Sequence, residues 1–260
     1  AGLTQSYSTS TNTLTISGTP TASVSYTITA GPSIFSSISP AVTLTRSGTV
    51  SVLPKPGVTN MNTTICSGSG FTVTPTNGTN GVVPVGTTYA WSAPVVTGGL
   101  TGGAAGSGAS SITGDLTNPT NIAHTATYIV TPTTGSCVGN PFTVTVTVNP
   151  RPTISAMSSV VCTGSSFSLS PTNVTNGIVP AGTSYSWSAP IVTGGMTGGT
   201  SGSGASVISG TLTNPTSAPQ TATYTVTPVS GSCTGPSFTV TVTVSFPTAP
   251  SSSSTRSAAT

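Results

Sequence analysis

The sequence predicts an all-β chain built from tandem β-sandwich modules that follow one another as a rod. Three observations lead to this fold class. Only 2% of the 260 residues are charged and Thr and Val are abundant, whereas ordinary globular domains are about 25% charged and β-branched side chains favour a pleated sheet. Short alternating runs are separated by Gly, Pro and Asn, as expected of strands joined by turns. The third observation is an internal repeat.

The repeat has a period of 96 residues, and residues 65–148 align with residues 161–244 without an insertion. Such a period is too long for the unit of a solenoid and suits a small independent domain. We therefore predict module 1 at residues 54–149 and module 2 at residues 150–245. The aligned pairs include Cys66 and Cys162, Trp91 and Trp187, Tyr128 and Tyr224, and Cys137 and Cys233.

Within module 1, alternation of polar and apolar residues predicts several short strands and no helix. Phe142–Val148 is the clearest, because four apolar residues fall on one face and three threonines on the other. The Gly-rich segment 97–110 is predicted as a loop. The predicted strands are residues 71–74, 88–91, 111–116, 125–131 and 142–148.

The ends of the chain differ from the repeat. Residues 1–53 contain no cysteine and are expected to be the C-terminal part of a preceding domain, with strands near residues 12–20, 24–28 and 43–52. Residues 246–260 include four consecutive serines and are predicted to be a linker or tail. We therefore expect the chain to be a segment of a longer protein. The linkers Pro54-Lys55-Pro56 and Pro150-Arg151-Pro152 are expected to be semi-rigid and to hold the modules end to end.

The four cysteines fall one pair to each module. This even division predicts disulfides within the modules, Cys66 with Cys137 and Cys162 with Cys233, and an oxidising compartment. A zinc site is the alternative, but it would need four ligands close together, and the repeats contain no CxxC and no shared histidine.

The sequence offers little for catalysis or metal binding. His124 is the only histidine and Asp115 the only acid, and the second copy has Gln220 and Thr211 in their places. A hydrolase needs a general base with an oriented partner, and calcium needs roughly six to eight oxygen ligands, mostly carboxylate. We therefore predict that the chain is not an enzyme and binds no cofactor or metal.

Charge and hydropathy bear on the partners. The four basic residues are dispersed, whereas nucleic-acid binding needs clustered Lys and Arg. No apolar run approaches the ~20 residues that cross a bilayer. We predict no nucleic-acid partner and no membrane span in this segment.

Two further features are candidates for contacts. The tryptophans Trp91 and Trp187 could form a sugar-stacking platform, but a tryptophan between two cysteines of a sandwich is more often part of the core. The Gly-rich loops carry Leu100 and Met196, which either fold back onto the module or are exposed. If they are exposed, they are candidate ligand or partner contacts.

Several motifs recur in both copies and carry a family resemblance. The motifs in module 1 are Ile65-Cys66-Ser67-Gly68, Tyr89-x-Trp91, Asn118-Pro119-Thr120, Ala126-Thr127-Tyr128, Gly135-Ser136-Cys137 and the run from Phe142 to Pro150. They resemble the PKD-like, Ig-like repeats of giant cell-surface adhesins in the Bacteroidota. Residues 1–53 are similar to the end of the Ig-like domains that flank such repeats.

The resemblance implies a segment of a long extracellular repeat adhesin on the bacterial surface. It implies a structural stalk or filament of disulfide-bonded sandwiches that mediates attachment, in proteins that include gliding-motility adhesins exported by type IX secretion. The expected partners are glycans or proteins of a cell surface or substratum. The sheets have almost no charge to protect their edges, so we expect either that rigid closure of each sandwich keeps the array soluble or that the array associates laterally into a filament. The alternative is a glycan- or protein-binding module that uses the Gly-rich loops.

Overall fold

The computed structural model describes residues 3–8, 10–11, 13–18, 23–30 and 44–246. Within these residues the regular secondary structure consists of β-strands alone. Two antiparallel pairs precede the repeats, β1 with β2 and β3 with β4. The assignment of residues 1–53 to a preceding Ig-like domain falls partly outside the described residues, as does nearly all of the 246–260 tail, so both stay predictions. These four strands are β1 (Leu3–Ser8), β2 (Thr13–Gly18), β3 (Val24–Ala30) and β4 (Leu44–Val50).

Module 1 contains twelve strands, most of them short. They are β5 (Gly57–Val58), β6 (Met61–Cys66), β7 (Ser69–Val73), β8 (Gly81–Val82), β9 (Thr88–Trp91), β10 (Val95–Val96), β11 (Thr101–Gly102), β12 (Gly106–Ala109), β13 (Ile112–Thr117), β14 (His124–Thr134), β15 (Cys137–Val138) and β16 (Phe142–Asn149).

Two sheets enclose the core of module 1. The larger sheet has the order β12-β9-β14-β16-β6, with β10 and β15 also paired to β14, and the smaller one has the order β11-β13-β7. Their inward side chains form one apolar cluster. The predicted all-β sandwich is confirmed.

Strand β16 lies in the middle of the larger sheet. Its apolar side chains Phe142, Val144, Val146 and Val148 are buried, and the intervening residues are half-buried, which confirms the predicted alternation. On one side it pairs antiparallel with β14, and on the other it pairs parallel with β6. The sequence pattern had not predicted β6, although this strand decides which end of the module carries Cys66.

Module 2 repeats the architecture strand by strand. Its larger sheet has the order β18-β28-β26-β21-β24, and its smaller sheet has the order β19-β25-β23. The strands are β17 (Thr153–Ile154), β18 (Met157–Cys162), β19 (Ser166–Leu169), β20 (Gly177–Ile178), β21 (Ser184–Trp187), β22 (Ile191–Val192), β23 (Thr197–Gly198), β24 (Gly202–Ala205), β25 (Ile208–Thr213), β26 (Gln220–Ser230), β27 (Cys233–Thr234) and β28 (Phe238–Ser245).

The Gly-rich segment differs from the predicted loop, because it contains β11 and β12. Strand β12 crosses beside Trp91, and Gly106 lies opposite that tryptophan. A Cβ atom on Gly106 would collide with the indole ring. Glycine is therefore required here for a close approach, which lets a segment with little side-chain bulk act as an edge strand.

The tryptophans belong to the core. Trp91 and Trp187 are each 8% exposed, and their indole N–H groups donate to the carbonyl oxygens of Ala104 (3.1 Å) and Thr200 (3.0 Å). This confirms the core interpretation and disfavours a stacking platform, since sugar stacking needs an open ring face.

Leu100 and Met196 are also buried, each at 5% exposure, within the two core clusters. Of the two alternatives, both side chains fold back onto their module, so the exposure on which the candidate ligand or partner contacts depended is not present. The preceding residues Gly98 and Gly99 have φ values of 59° and 71°, and this left-handed turn directs Leu100 back onto the sandwich.

Candidate functional site at the junction between the modules

The four cysteines do not pair within the modules. Cys66 of module 1 is bonded to Cys233 of module 2, with Cα atoms 5.5 Å apart and a sequence separation of 167. Cys137 and Cys162 are unpaired. The predicted Cys66–Cys137 and Cys162–Cys233 bonds are therefore wrong, and the bond crosses the junction.

The direction of β6 explains this pairing. Because β6 is parallel to β16, Cys66 lies opposite Asn149, where the chain leaves module 1. We call this the trailing end. Cys137 lies in the hairpin after β14, at the leading end, where the chain enters the module. Strand β14 has 11 residues, so the two cysteines of module 1 are about 35 Å apart at ~3.3 Å per residue. A disulfide needs Cα atoms within about 7 Å.

The turn that presents Cys66 is fixed by backbone hydrogen bonds. The Ser67 N–H donates to the Asn149 carbonyl oxygen and the Gly68 N–H to the Leu116 carbonyl oxygen, both at 2.9 Å. The Ser67 hydroxyl donates to the Asn118 carbonyl oxygen (3.2 Å) and accepts from the Asn118 N–H (2.8 Å). Both sheets therefore contribute to holding Cys66 at the trailing end.

Asn118 anchors this end from inside the module. Its side chain is 2% exposed, and its amide group donates to the carbonyl oxygens of Ile122 (2.7 Å) and Val148 (3.0 Å). Its amide oxygen accepts from the Thr120 N–H (2.9 Å) and hydroxyl (2.8 Å). The repeated Asn-Pro-Thr motif is thus a buried polar link between a loop and β16, since buried polar groups require such partners.

Cys233 is presented by a tight hairpin at the leading end of module 2. It pairs with Ser230 across the turn, and Gly231 has a φ of 57°. The Gly235 N–H donates to the Pro228 carbonyl oxygen (2.9 Å). Cys233 is only 1% exposed, so the sulfur is enclosed at the junction.

The Pro-Arg-Pro linker is attached to the same hairpin. The Arg151 Nε–H donates to the carbonyl oxygen of Thr234 (2.8 Å), the residue next to Cys233. A Cβ atom on Gly235 would collide with the Pro152 carbonyl group, so linker and hairpin are in close contact. At the corresponding place in module 1, Lys55 Nζ donates to Asn140 Oδ1 (3.3 Å). Two of the few charged side chains thus fix the path by which the chain enters a module.

Other surfaces of the two modules present few side chains that could bind a ligand or take part in a reaction. An open cleft of about 680 Å³ lies beside Trp91, and one of about 650 Å³ lies beside Trp187. His124 and Asp115 are on different sheets. Among the residues that the structure describes, no group of three or more His, Cys, Asp or Glu side chains could hold a metal ion. The described segments also contain no helix of the length and apolarity that crossing a membrane requires.

Residues 59–152 and 159–248 each match the profile of the PKD-like domain, one copy per module. The chain belongs to the PKD-like domain family. The PKD-like part of the resemblance is therefore shown. PKD-like modules with a disulfide indicate an extracellular location, because disulfides persist in oxidising compartments.

The chain also matches solved structures, at low identity and low TM-score. An endo-fucoidan hydrolase of glycoside hydrolase family 107 is 13% identical, with 95% of this chain and 38% of that one covered and a TM-score of 0.26. The protocadherin GammaB4 extracellular domain is 15% identical, with 95% and 44% covered and a TM-score of 0.34. Sidekick-1 immunoglobulin domains 1–4 are 10% identical, with 89% and 67% covered and a TM-score of 0.26.

The chain spans less than half the length of the hydrolase and protocadherin chains. At these TM-scores, nothing about the function of this chain follows from them. No match was found among curated proteins.

Proposed function

We propose that this chain is part of the stalk of a long extracellular adhesin, in which PKD-like modules hold a distant attachment site away from a surface. The observation that supports this best is the Cys66–Cys233 bond, which joins the trailing end of one module to the leading end of the next. A disulfide between ends makes the modules resist separation and bending, and this is what a spacer under load requires.

The linker favours the same function. Only Pro150-Arg151-Pro152 separates the strand that ends module 1 from the first strand of module 2. Proline limits the backbone to extended conformations, and Arg151 holds the linker against the hairpin. We expect a rod, because a folded-back arrangement would separate Cys66 from Cys233.

The finer identification rests on the motifs and is part of the proposal. The Ile-Cys-Ser-Gly, Asn-Pro-Thr and Gly-Ser-Cys motifs resemble those of giant Bacteroidota surface adhesins. On that basis we propose a bacterial cell-surface location, export by type IX secretion and attachment, including gliding motility, as the process served. The proposed partners are glycans or proteins of the substratum.

Small-angle scattering on the oxidised chain tests the stalk. Two modules of about 35 Å each, end to end, give an elongated particle at least about 70 Å long before residues 1–53 are added. Cys66→Ser with Cys233→Ser should bend more freely and broaden the distance distribution. The proposal would be overturned by a compact oxidised particle whose longest dimension does not exceed the length of one module plus the width of the other.

Glycan or protein binding by each module is the second candidate function. Its support is the cleft that recurs beside Trp91 and Trp187, with the side chains of Ile129 and Thr225 on its wall. A glycan array probed with the oxidised chain tests it. Binding that Ile129→Lys with Thr225→Lys abolishes, and that the matched surface variant Val138→Lys retains, would establish the clefts as sites. An array without signal would leave the stalk as the better explanation.

Lateral self-association also stays a proposal. Strand β16 is covered on both sides, so the free edges of the larger sheet are β6 and β12. The uncharged outer face of β16 could still pack against another chain. Thr145→Lys with Thr241→Lys places charge on that face. Unchanged assembly of this variant at low and moderate salt would exclude lateral packing through it.

A further inference from the structure

The unpaired Cys162 is at the trailing end of module 2, in the position that Cys66 has in module 1. Strand β18 is parallel to β28, so Cys162 lies opposite Ser245, as Cys66 lies opposite Asn149. In module 1 this cysteine is half-buried and bonded, whereas in module 2 it is exposed and free. The same structural position therefore carries a bonded cysteine in module 1 and a free cysteine in module 2.

The turn that presents Cys162 has the hydrogen bonds of its bonded counterpart. The Thr163 N–H donates to the Ser245 carbonyl oxygen (3.0 Å) and the Gly164 N–H to the Leu212 carbonyl oxygen (2.9 Å). The Asn214 N–H donates to the Thr163 hydroxyl (2.9 Å), as the Asn118 N–H does to Ser67. The open end is therefore already built in the geometry that forms a bond at the internal junction.

We propose that the trailing end of module 2, with Cys162 at its centre, is a docking surface for a further PKD-like module. The hairpin cysteine of that module, in the position of Cys233, forms a disulfide with Cys162. The inference goes beyond a stalk of unspecified contacts, because it names the partner, the surface and the bond. It predicts that every junction between such modules is closed by one cysteine from each side.

The choice of partner follows from the internal junction. Cys233 reaches Cys66 because a hairpin at the leading end of a module meets the trailing end of the module before it. Cys137 has the same hairpin, with Gly135 at a φ of 57°, but it lies at the leading end of module 1. It is therefore about two module lengths, or ~70 Å, from Cys162 of the same chain. Residues 246–260 contain no cysteine.

The bond forms by thiol–disulfide exchange with a small disulfide oxidant such as glutathione disulfide. The Cys162 thiolate attacks the oxidant and releases one reduced glutathione. The hairpin thiolate of the partner then attacks the mixed disulfide at the Cys162 sulfur and releases the second. Two thiols thus lose two protons and two electrons, and one glutathione disulfide becomes two glutathione molecules.

The test extends the chain by a second copy of residues 150–245, placed directly after Ser245 so that it re-creates the Asn149–Pro150 connection. The protein is oxidised with glutathione disulfide, and non-reducing peptide mapping assigns the bonds. We expect two bonds per chain, Cys66–Cys233 and Cys162 with the hairpin cysteine of the added copy. Two of the six cysteines then stay free, Cys137 and the Cys162 equivalent of the added copy, compared with four if only the internal bond forms.

Two controls make the result specific. Serine in place of the hairpin cysteine of the added copy should leave Cys162 fully reactive with iodoacetamide. Formation of Cys66–Cys233 in the same molecule reports that the oxidation worked, and thermal unfolding followed by circular dichroism reports that the added copy is folded. Free Cys162 in a folded, oxidised chain would overturn the proposal.

A disulfide-linked dimer through Cys162 and Cys137 of another chain would also support the proposal, because Cys137 is the hairpin cysteine of a PKD-like module; it would identify a second copy of this chain as the source of that module. Neither result would bear on the stalk, since the internal bond and the scattering of the unextended chain are measured independently.

Discussion

Burial raises the pKa of four tyrosine hydroxyls, Tyr89, Tyr128, Tyr185 and Tyr224, above the ordinary value of 10.0. At Tyr128 the negative charge of Asp115 adds to this effect. Removing a proton from any of them places a charge in the core. Because the pKa is higher in the folded state, the associated stability is complete below about pH 10 and is lost as pH rises through the folded value.

We therefore predict a melting temperature that is nearly constant through neutral pH and falls above about pH 10. Acid should have little effect, because the sequence has a single Asp and no Glu. The hydroxyls of Tyr128 and Tyr224 have no hydrogen-bond partner, so Tyr128→Phe with Tyr224→Phe should fold normally and reduce the alkaline loss. Calorimetry across pH 4–12 measures this; an equal alkaline loss in the variant would contradict it.

The buried Asn118 gives a second prediction at the scale of single residues. Asn118→Ala removes the donors to the Ile122 and Val148 carbonyl oxygens, which then lose their partners inside the module. We expect a loss of about 3 kcal/mol in the unfolding free energy of module 1, from two or three buried hydrogen bonds. Denaturant unfolding measures it. Asn140→Ala, at an exposed residue with one bond to Lys55, is the matched control and should cost less than about 1 kcal/mol.

At the scale of strands, the sequence predicts those whose alternation reports burial directly. Strands β9, β14 and β16 follow from this pattern, as does the burial of the tryptophans, because one face of each strand packs on the core. The sequence does not predict the partner and direction of β6, because its pairing with β16 joins residues far apart in the chain. Antiparallel pairing would have placed Cys66 beside the Cys137 hairpin. The error in the disulfides therefore comes from one strand direction, which the residues around each cysteine do not encode.

The Gly-rich segment differs from the predicted loop for a related reason. Many glycines predict a loop when only flexibility is considered, but Gly106 and its counterpart Gly202 let an edge strand pass beside a tryptophan. The left-handed φ values of Gly98 and Gly99 likewise decide whether Leu100 packs on the core or faces solvent. The residue types alone are compatible with either orientation.

The close approach at Gly106 gives a prediction for the edge of the larger sheet. Gly106→Ala places a methyl group inside the space of the Trp91 ring, and such overpacking costs about 1–3 kcal/mol. Gly57→Ala is the matched control, because it is also a strand glycine but has open space around it. Tryptophan fluorescence should report a displaced Trp91 in the first variant and an unchanged spectrum in the second. Equal stability of the two variants would contradict the role assigned to Gly106.

For the whole molecule, the position of the disulfide decides which residues carry tension. A force applied to the two ends of the chain enters module 1 through β5 and β6 and reaches Cys66. It then crosses the sulfur bridge to Cys233 and leaves through β27 and β28. The residues between the two cysteines, which make up most of both sandwiches, lie in a closed loop outside this path. Of the strands of the two modules, only β5, β6, β27 and β28 therefore lie in the path of the force, and the bond keeps the rest of both sandwiches from being extended.

Force spectroscopy on single molecules gives the final prediction. In the oxidised chain the loop of 167 residues stays unextended, so the fully stretched protein should be shorter than the reduced one by roughly 570 Å, at ~3.4 Å per residue. Cys66→Ser with Cys233→Ser should extend as the reduced chain does in any buffer. Cys137→Ser with Cys162→Ser, which leaves the bridge in place, should extend as the oxidised chain does. If the oxidised chain showed two unfolding steps, each releasing the full length of one module, the force would pass through the cores and not through the bridge.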